Sequence, residues 1–177
     1  MIFIGGTGRS GTTILSQILD NHKEIYSFPR ELRFITDPDG LISLRSALVS
    51  NWSKFHGDFA IERYLTLMKN LKYKYRGKYP NYGHSELVGV DFYNLWIDKL
   101  TKDIINFSIK GSWAGRTNLF QKGVIKLLGK KKYTGPVMSG AFYCSPMTDK
   151  AFNKYFGGYL MEFFNRAATL NNAKITV

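Results

Sequence analysis

Residues 2–13 read IFIGGTGRSGTT, and this stretch decides which fold the rest of the sequence is expected to take. Its first three residues are apolar and run into Gly5 and Gly6, which is typical of a buried strand that ends in a tight turn. From Thr12 onward, apolar residues recur at helical spacing as far as Leu19. The stretch therefore predicts a strand, a glycine-rich turn and the start of a helix.

A second short strand is predicted at Glu24 to Phe28, where Pro29 closes it. A strand, a glycine turn, a helix and a strand within about thirty residues form a βαβ unit, in which the two strands lie parallel. We therefore expect an α/β fold with a parallel sheet flanked by helices and the glycine loop at its carboxyl edge. After this unit the pattern is largely helical, with helices predicted at Leu41–Val49, Ala60–Leu71 and Asp91–Ile104. A last helix is predicted to begin at Pro146, after a Ser145 cap, and to continue as far as Phe163.

The length of 177 residues is that of one ordinary domain and is sufficient for a core of its own. We expect residues 1–177 to form a single α/β domain. The last five residues, AKITV, have the pattern of a buried strand that is just beginning. We therefore expect the domain to be cut short at its carboxyl end.

The formal net charge of +12 favours an anionic partner, such as a nucleotide, a sulfated or phosphorylated compound, nucleic acid or a membrane surface. The single cysteine, Cys144, excludes an intramolecular disulfide and fits a reducing compartment. No apolar run approaches the 18 or so residues that a membrane span requires. From these features we expect a cytoplasmic protein without a membrane segment.

Three phosphate-binding patterns overlap at the glycine loop. Gly6, Gly8 and Gly11 have the dinucleotide spacing G-x-G-x-x-G, and Glu31 follows where a ribose-binding acid could lie. Gly6 and Gly11 also have the spacing of the nucleoside triphosphatase loop, but Thr12 stands in the place of its lysine. The loss of that lysine disfavours hydrolysis of ATP or GTP.

The distinctive feature is the run Arg9, Ser10, Gly11, Thr12 and Thr13 at the start of the predicted helix. Backbone N–H groups and the positive end of the helix can hold a terminal phosphate, and the two threonine hydroxyls can donate to its oxygens. The arginine adds a permanent positive charge for a leaving group.

This combination resembles the 5′-phosphosulfate loop of the sulfotransferase superfamily, whose sulfuryl donor is 3′-phosphoadenosine 5′-phosphosulfate (PAPS). In that family a loop of the type G-R-S-G-T-T leads into a helix, an L-D-x-H segment and a second strand. Residues 8–31, GRSGTTILSQILDNHKEIYSFPRE, follow the same order. The resemblance spans Ile2 to about Ile35, is closest to the tyrosylprotein and carbohydrate branches, and implies a P-loop-like nucleotide-binding fold.

The resemblance also implies roles for individual residues. Arg9 would stabilise the charge on the leaving phosphate, and Ser10, Gly11, Thr12 and Thr13 would complete the cofactor site. Glu31 stands where the tyrosylprotein branch has its catalytic base, in an E-x-R setting with Arg33. The alternative is that Glu31 is a surface carboxylate paired with Arg30 or Arg33. His56 and His84 are reserve candidates for the base.

One departure from the family concerns the 3′-phosphate. Members of the superfamily hold it with an arginine in an R-D-P segment, and no R-D-P occurs in this sequence. The only Asp-Pro, Asp37-Pro38, lies in a different place. We therefore expect the 3′ half of the PAPS site to lie beyond Val177.

The expected partners are PAPS and a hydroxyl-bearing acceptor, which includes acidic acceptors, and we do not expect nucleic acid. No metal is expected, since three dispersed histidines and one cysteine form no ligand spacing. Two alternatives stay open. One is an NAD-type oxidoreductase that rests on the glycine spacing, and the other is a non-catalytic module that binds anions through its basic surface.

Overall fold

The computed structural model describes residues 1–7, 9–73, 83–111, 119–128 and 139–177. Within these residues the chain is mostly helical and has two pairs of strands. The helices are α1 (Thr12–Asp20), α2 (Arg33–Thr36), α3 (Leu41–Arg45), α4 (Lys54–Lys72), α5 (His84–Val88), α6 (Val90–Ile104), α7 (Leu119–Leu128) and α8 (Asp149–Leu170). The strands are β1 (Ile25–Tyr26), β2 (Phe107–Gly111), β3 (Ser139–Tyr143) and β4 (Ile175–Thr176).

The parallel sheet consists of β1 and β4, with Ile25 opposite Ile175. This pairing confirms the α/β class, the parallel sheet and the strand predicted at AKITV. On the other side of β4, the amide of Ile2 donates to the carbonyl of Thr176 at 2.8 Å. The chain before the glycine loop therefore runs beside β4 without forming a strand.

The strand predicted at residues 2–4 is thus wrong in the strict sense. Its only described backbone bond to the sheet is the one from Ile2, and a single bond does not make a ladder. Phe3 is 67% exposed, so the described part of the chain does not bury this segment either. The second predicted strand is present at β1 but is shorter than the predicted range.

The second pair of strands, β2 and β3, is antiparallel and was not predicted. Phe107 lies opposite Tyr143, and their rings stack with centroids 4.7 Å apart. Apolar and polar residues alternate from Phe107 to Lys110, and this pattern could have predicted β2 from the sequence. The chain after the βαβ unit is largely helical, as predicted, and these two strands are the part of it that the prediction did not include.

The core lies between α2, α4, α6 and α8 and is rich in aromatic residues. The rings of Trp96 and Tyr159 stack at 3.8 Å, and the indole N–H of Trp96 donates to the Tyr159 carbonyl at 2.8 Å. Phe34 is fully buried against Trp96 and Phe163. This cluster fixes α2, which begins two residues after Glu31.

The predicted helices are confirmed with changes. A π-helical turn, Ser46–Ser50, continues α3, and α4 begins earlier than predicted. The start predicted at Pro146 with a Ser145 cap is wrong, because α8 begins at Asp149 and the side chain of Thr148 caps it. On α6 the buried face consists of Tyr93, Trp96 and Leu100, whereas Leu95, which helical spacing also predicts on that face, is 69% exposed. The expectation of one domain over residues 1–177 stays a prediction.

Two helical glycines give a test of this packing. Gly157 lies in α8 and a side chain there would meet nothing within 4 Å, whereas a Cβ on Gly57 in α4 would lie 2.7 Å from the sulfur of Cys144. Gly157→Ala should raise the free energy of unfolding by about 0.5–1 kcal/mol, since alanine favours the helix. Gly57→Ala should lower it by about 1–3 kcal/mol through overpacking. Urea denaturation measures both, and equal effects in the two variants would contradict the packing described.

Candidate functional site

The glycine loop turns into α1 through two residues in the left-handed region. Arg9 has φ 64° and Gly11 has φ 82°, and the amide of Ser10 donates to the carbonyl of Thr7 at 3.1 Å. For a residue with a side chain this conformation costs about 1–2 kcal/mol. A strained arginine within a phosphate-binding type of loop is more often a functional than a stabilising feature.

The first turn of α1 has no side-chain cap. Gly11 occupies the N-cap position and cannot supply one, so the first amides of the helix have no side-chain acceptor at that position. The helix has nine residues, and the partial positive charge of its N-terminus therefore accumulates at this loop. The arrangement suits an anion.

Gly6 allows the loop to fold closely on itself. A Cβ at this position would lie 2.1 Å from the hydroxyl oxygen of Ser10 and 2.7 Å from the methyl carbon of Thr12. Only glycine leaves space for these two hydroxyl-bearing side chains. Arg9, Ser10 and Thr13 are exposed, and Arg9 forms no ion pair with any other residue that the structure describes.

A cleft of about 560 Å³ opens beside this loop. The polar side of its wall carries Thr12, Thr13 and Ser16 from α1, and Arg30 and Glu31 from the segment before α2. The structure thus brings two of the predicted phosphate ligands and the predicted base onto one cleft. Arg9, Ser10 and Gly11 do not line it and lie at the exposed turn instead.

Sequence reasoning missed Ser16 and Arg30 as residues of this cleft. Ser16 follows Thr12 by one helical turn, which places both on one face of α1. Its hydroxyl also contacts that of Ser27, so it joins the helix to the chain that follows β1. Arg30 directly precedes Glu31. This position next to the predicted base is the sequence feature that could have indicated its place in the cleft.

Neither arginine beside Glu31 pairs with its carboxylate. Arg30 lies 3.5 Å from Glu86 on α5, and Arg33 donates to Asp37 at 2.5 Å. Glu31 is exposed and has no ion pair within the described ranges. The alternative of a surface pair with Arg30 or Arg33 therefore finds no support in the structure.

His84 lies behind Glu31 and not in the cleft. It is fully buried, its ring packs edge-on against Phe34, and its Nε2–H donates to the Glu31 carbonyl at 3.3 Å. The pKa of His84 is lowered to about 4, mainly because burial desolvates the charged imidazolium. The hydrogen bond to Glu31 and the charge of Asp37 oppose this shift, and the charge of Arg30 adds to it. The imidazole is therefore neutral at pH 7.

The other histidines make local contacts. The ring of His56 contacts the carbonyl of Asn51 at 2.8 Å, and the ring of His22 accepts from the amide of Glu24 at 3.2 Å. Neither lies on the wall of the cleft. No group of histidine, cysteine, aspartate and glutamate residues in the described part of the chain has a geometry that could hold a metal.

Some predicted features lie outside the described residues. These are Gly8 of the loop, most of the basic segment from Lys72 to Ser85, and the lysines at 130–132. In the parts of the chain that the structure does describe, no helix combines the length and the apolar character needed to cross a membrane.

Acidification should destabilise the wild-type protein more than a His84→Gln variant. The unfolded chain binds a proton at this histidine near pH 6.5, but the folded chain binds it only near pH 4, so stability falls as the pH drops between these values. The contribution of this site is on the order of 3 kcal/mol over that range. Urea unfolding between pH 7 and 4 measures it. The same pH slope in both proteins would contradict a buried neutral His84.

Comparison with known proteins gives a match for the part of the chain that contains the glycine loop and most of the residues that line the cleft. Residues 2–64 match a family model described as "Sulfotransferase family". A search of curated protein sequences and a search of solved structures each gave no match. The matched residues contain the glycine loop, α1, β1, Glu31 and the first part of α4. The match is limited to residues 2–64 of the 177, so it shows that this part of the chain is similar to the sulfotransferase family, and it supports sulfotransfer activity in general.

Proposed function

We propose that this protein is a sulfotransferase that moves a sulfuryl group from PAPS to a hydroxyl of a carbohydrate, a tyrosine or a small alcohol. The observation that carries the proposal is the single cleft that Thr12, Thr13 and Glu31 line together. The transfer needs a site for the leaving nucleotide and a base for the acceptor, and these residues supply both across one opening.

The donor would bind at the start of α1. The free amides of the first turn and the hydroxyls of Thr12 and Thr13 would hold the 5′-phosphate, and Ser10 and Gly11 would complete the loop. Arg9 would neutralise the charge that grows on the bridging oxygen as the donor breaks. Its exposed guanidinium pairs with no described residue, which leaves it available for this role.

The acceptor would enter from the side of Glu31. In the reaction, the acceptor oxygen forms a bond to sulfur while the bond from sulfur to the phosphate oxygen breaks. The proton of the hydroxyl moves to the Glu31 carboxylate, and adenosine 3′,5′-bisphosphate leaves with the bonding electron pair. The apolar part of the cleft, which includes Phe3, Phe28 and Phe164, would receive the body of the acceptor.

No metal takes part in this scheme. The positive charges that it uses come from Arg9 and from the N-terminus of α1. The proposal leaves the contact to the 3′-phosphate unassigned, since no R-D-P segment occurs in the sequence.

Calorimetric titration of the 177-residue chain with adenosine 3′,5′-bisphosphate tests the donor site. Wild-type protein should bind, and Arg9→Ala and Thr12→Ala should each weaken binding about tenfold or more, as expected for a lost hydrogen bond to a charged group. Arg63→Ala and Thr66→Ala are matched controls, because these residues lie on α4 away from this cleft, and they should bind as wild type. Unchanged binding in the Arg9 and Thr12 variants would contradict the site.

Two further titrations separate the alternatives. Tight binding of NAD with no response to the bisphosphate would favour the oxidoreductase. A steep loss of affinity with salt that does not depend on Arg9 would favour a general anion-binding surface.

A further inference from the structure

The segment Pro29–Leu32 carries Glu31 but belongs to no helix or strand. Just before this segment, the amide of Phe28 donates a backbone hydrogen bond to the carbonyl of Val177 at 2.9 Å. The first bond after it runs from the amide of Ile35 to the carbonyl of Leu32 at 3.1 Å. The position of the Glu31 carboxylate therefore depends on contacts from another part of the molecule.

The first such contact comes from His84. Its Nε2–H donates to the backbone carbonyl of Glu31, and this orientation follows because a carbonyl can only accept. The imidazole is neutral at pH 7 and fully buried, so it holds the main chain without placing a charge next to the carboxylate. Its ring is itself fixed edge-on against Phe34, with centroids 5.5 Å apart.

The second contact comes from Glu86, two residues later on the same helix. Its carboxylate lies 3.5 Å from Nη2 of Arg30, whose side chain is only 16% exposed. The other terminal nitrogen of Arg30 is buried and has no hydrogen-bond partner among the described residues. The guanidinium therefore depends strongly on Glu86, because a buried charge that loses its partner is costly.

The helix that makes both contacts is itself held at two points. The Ser85 hydroxyl donates to the carbonyl of Lys72 at the end of α4, at 2.5 Å. The carbonyl of Val88 accepts from Nε of Arg166 on α8, at 3.2 Å. Leu87 and Val88 are buried in the core. The short helix α5 thus connects the core to the two residues Arg30 and Glu31.

We propose that α5 is the positioning element of the reaction, in which His84 and Glu86 hold the backbone at Glu31 and Arg30 so that the Glu31 carboxylate faces the cleft. This inference rests on the proposed function. His84 does not line the cleft and Glu86 does not either, so both act through their neighbours and neither is a catalytic residue.

Substitution at His84 tests the proposal when transfer and nucleotide affinity are measured separately. His84→Leu should lower kcat about tenfold or more, since a displaced base reacts poorly, and leave the affinity for adenosine 3′,5′-bisphosphate within about twofold. His84→Gln keeps a donor near the position of Nε2 and should restore kcat to within about threefold of wild type. Transfer is followed with labelled PAPS and a panel of a tyrosine peptide, a desulfated glycosaminoglycan and 4-nitrophenol.

His22→Leu is the matched control, because it removes another contact between a histidine ring and the backbone, here the amide of Glu24, outside the cleft. It should leave kcat unchanged. Wild-type kcat in His84→Leu would overturn the proposal. An equal loss of kcat in His84→Leu and His84→Gln would overturn the assignment of the hydrogen bond.

Amide hydrogen exchange gives a readout that does not need activity. Exchange of residues 29–35 should be faster in His84→Leu and in Glu86→Gln than in wild type, while exchange in α1 stays the same. Glu86 is partly exposed, so Glu86→Gln is expected to fold. Unchanged exchange of residues 29–35 in both variants would overturn the proposal.

If wild-type protein neither binds the bisphosphate nor transfers sulfate, the proposed function fails, and the exchange result still decides whether α5 holds this segment.

Discussion

The pairing of β4 with its two neighbours is the constraint on which the candidate site depends. One side of β4 binds the chain that leads into the glycine loop, through Ile2 and Thr176. Its other side binds β1, and the amide of Val177 donates to the carbonyl of Tyr26 at 2.9 Å. Residues from both of these parts of the chain line one cleft, to which β4 also contributes Thr176. Without β4, no described backbone bond joins these two parts of the chain.

The charges around the cleft leave the carboxylate of Glu31 without an ion pair in the described part of the chain. The protein has a formal net charge of +12, yet both arginines that flank Glu31 are engaged by other acids. The nearest histidine is neutral because the core desolvates it. The start of α1 has no side-chain cap and its residues Thr12 and Thr13 line the cleft, whereas Arg9 lies at the exposed turn beside it. The proposed transfer would use this arrangement, with the donor at the start of α1 and the acceptor at Glu31.

Sequence reasoning succeeded where the physical cause is local. Glycine spacing, hydroxyl residues and helical periodicity all act within a few residues, so the loop and α1 could be predicted. The strand at AKITV followed from its own apolar pattern and is confirmed as β4. The strand before the loop was wrong because its classification depends on a partner far away in the sequence. The hairpin of β2 and β3 was missed for the same reason, since Phe107 and Tyr143 meet only through tertiary structure.

The features of the site divide in the same way, into those that local patterns predict and those that depend on the tertiary structure. Thr12, Thr13 and Glu31 could be named from the residue types and from the resemblance to a family, and their roles stay predictions. The contacts that hold Glu31 could not be predicted, because 53 positions separate it from His84. The burial that makes His84 neutral is also a property of the packed core, and no local pattern around the histidine indicates it.

The most direct measurement of the central claim compares nucleotide binding with sulfuryl transfer in a Glu31→Gln variant. If Glu31 is the base of the same cleft, the variant binds adenosine 3′,5′-bisphosphate with wild-type affinity and transfers the sulfuryl group from PAPS at least about 100-fold more slowly. Transfer at the wild-type rate would show that another group takes the proton, and it would contradict the account of a donor site and a base in one cleft.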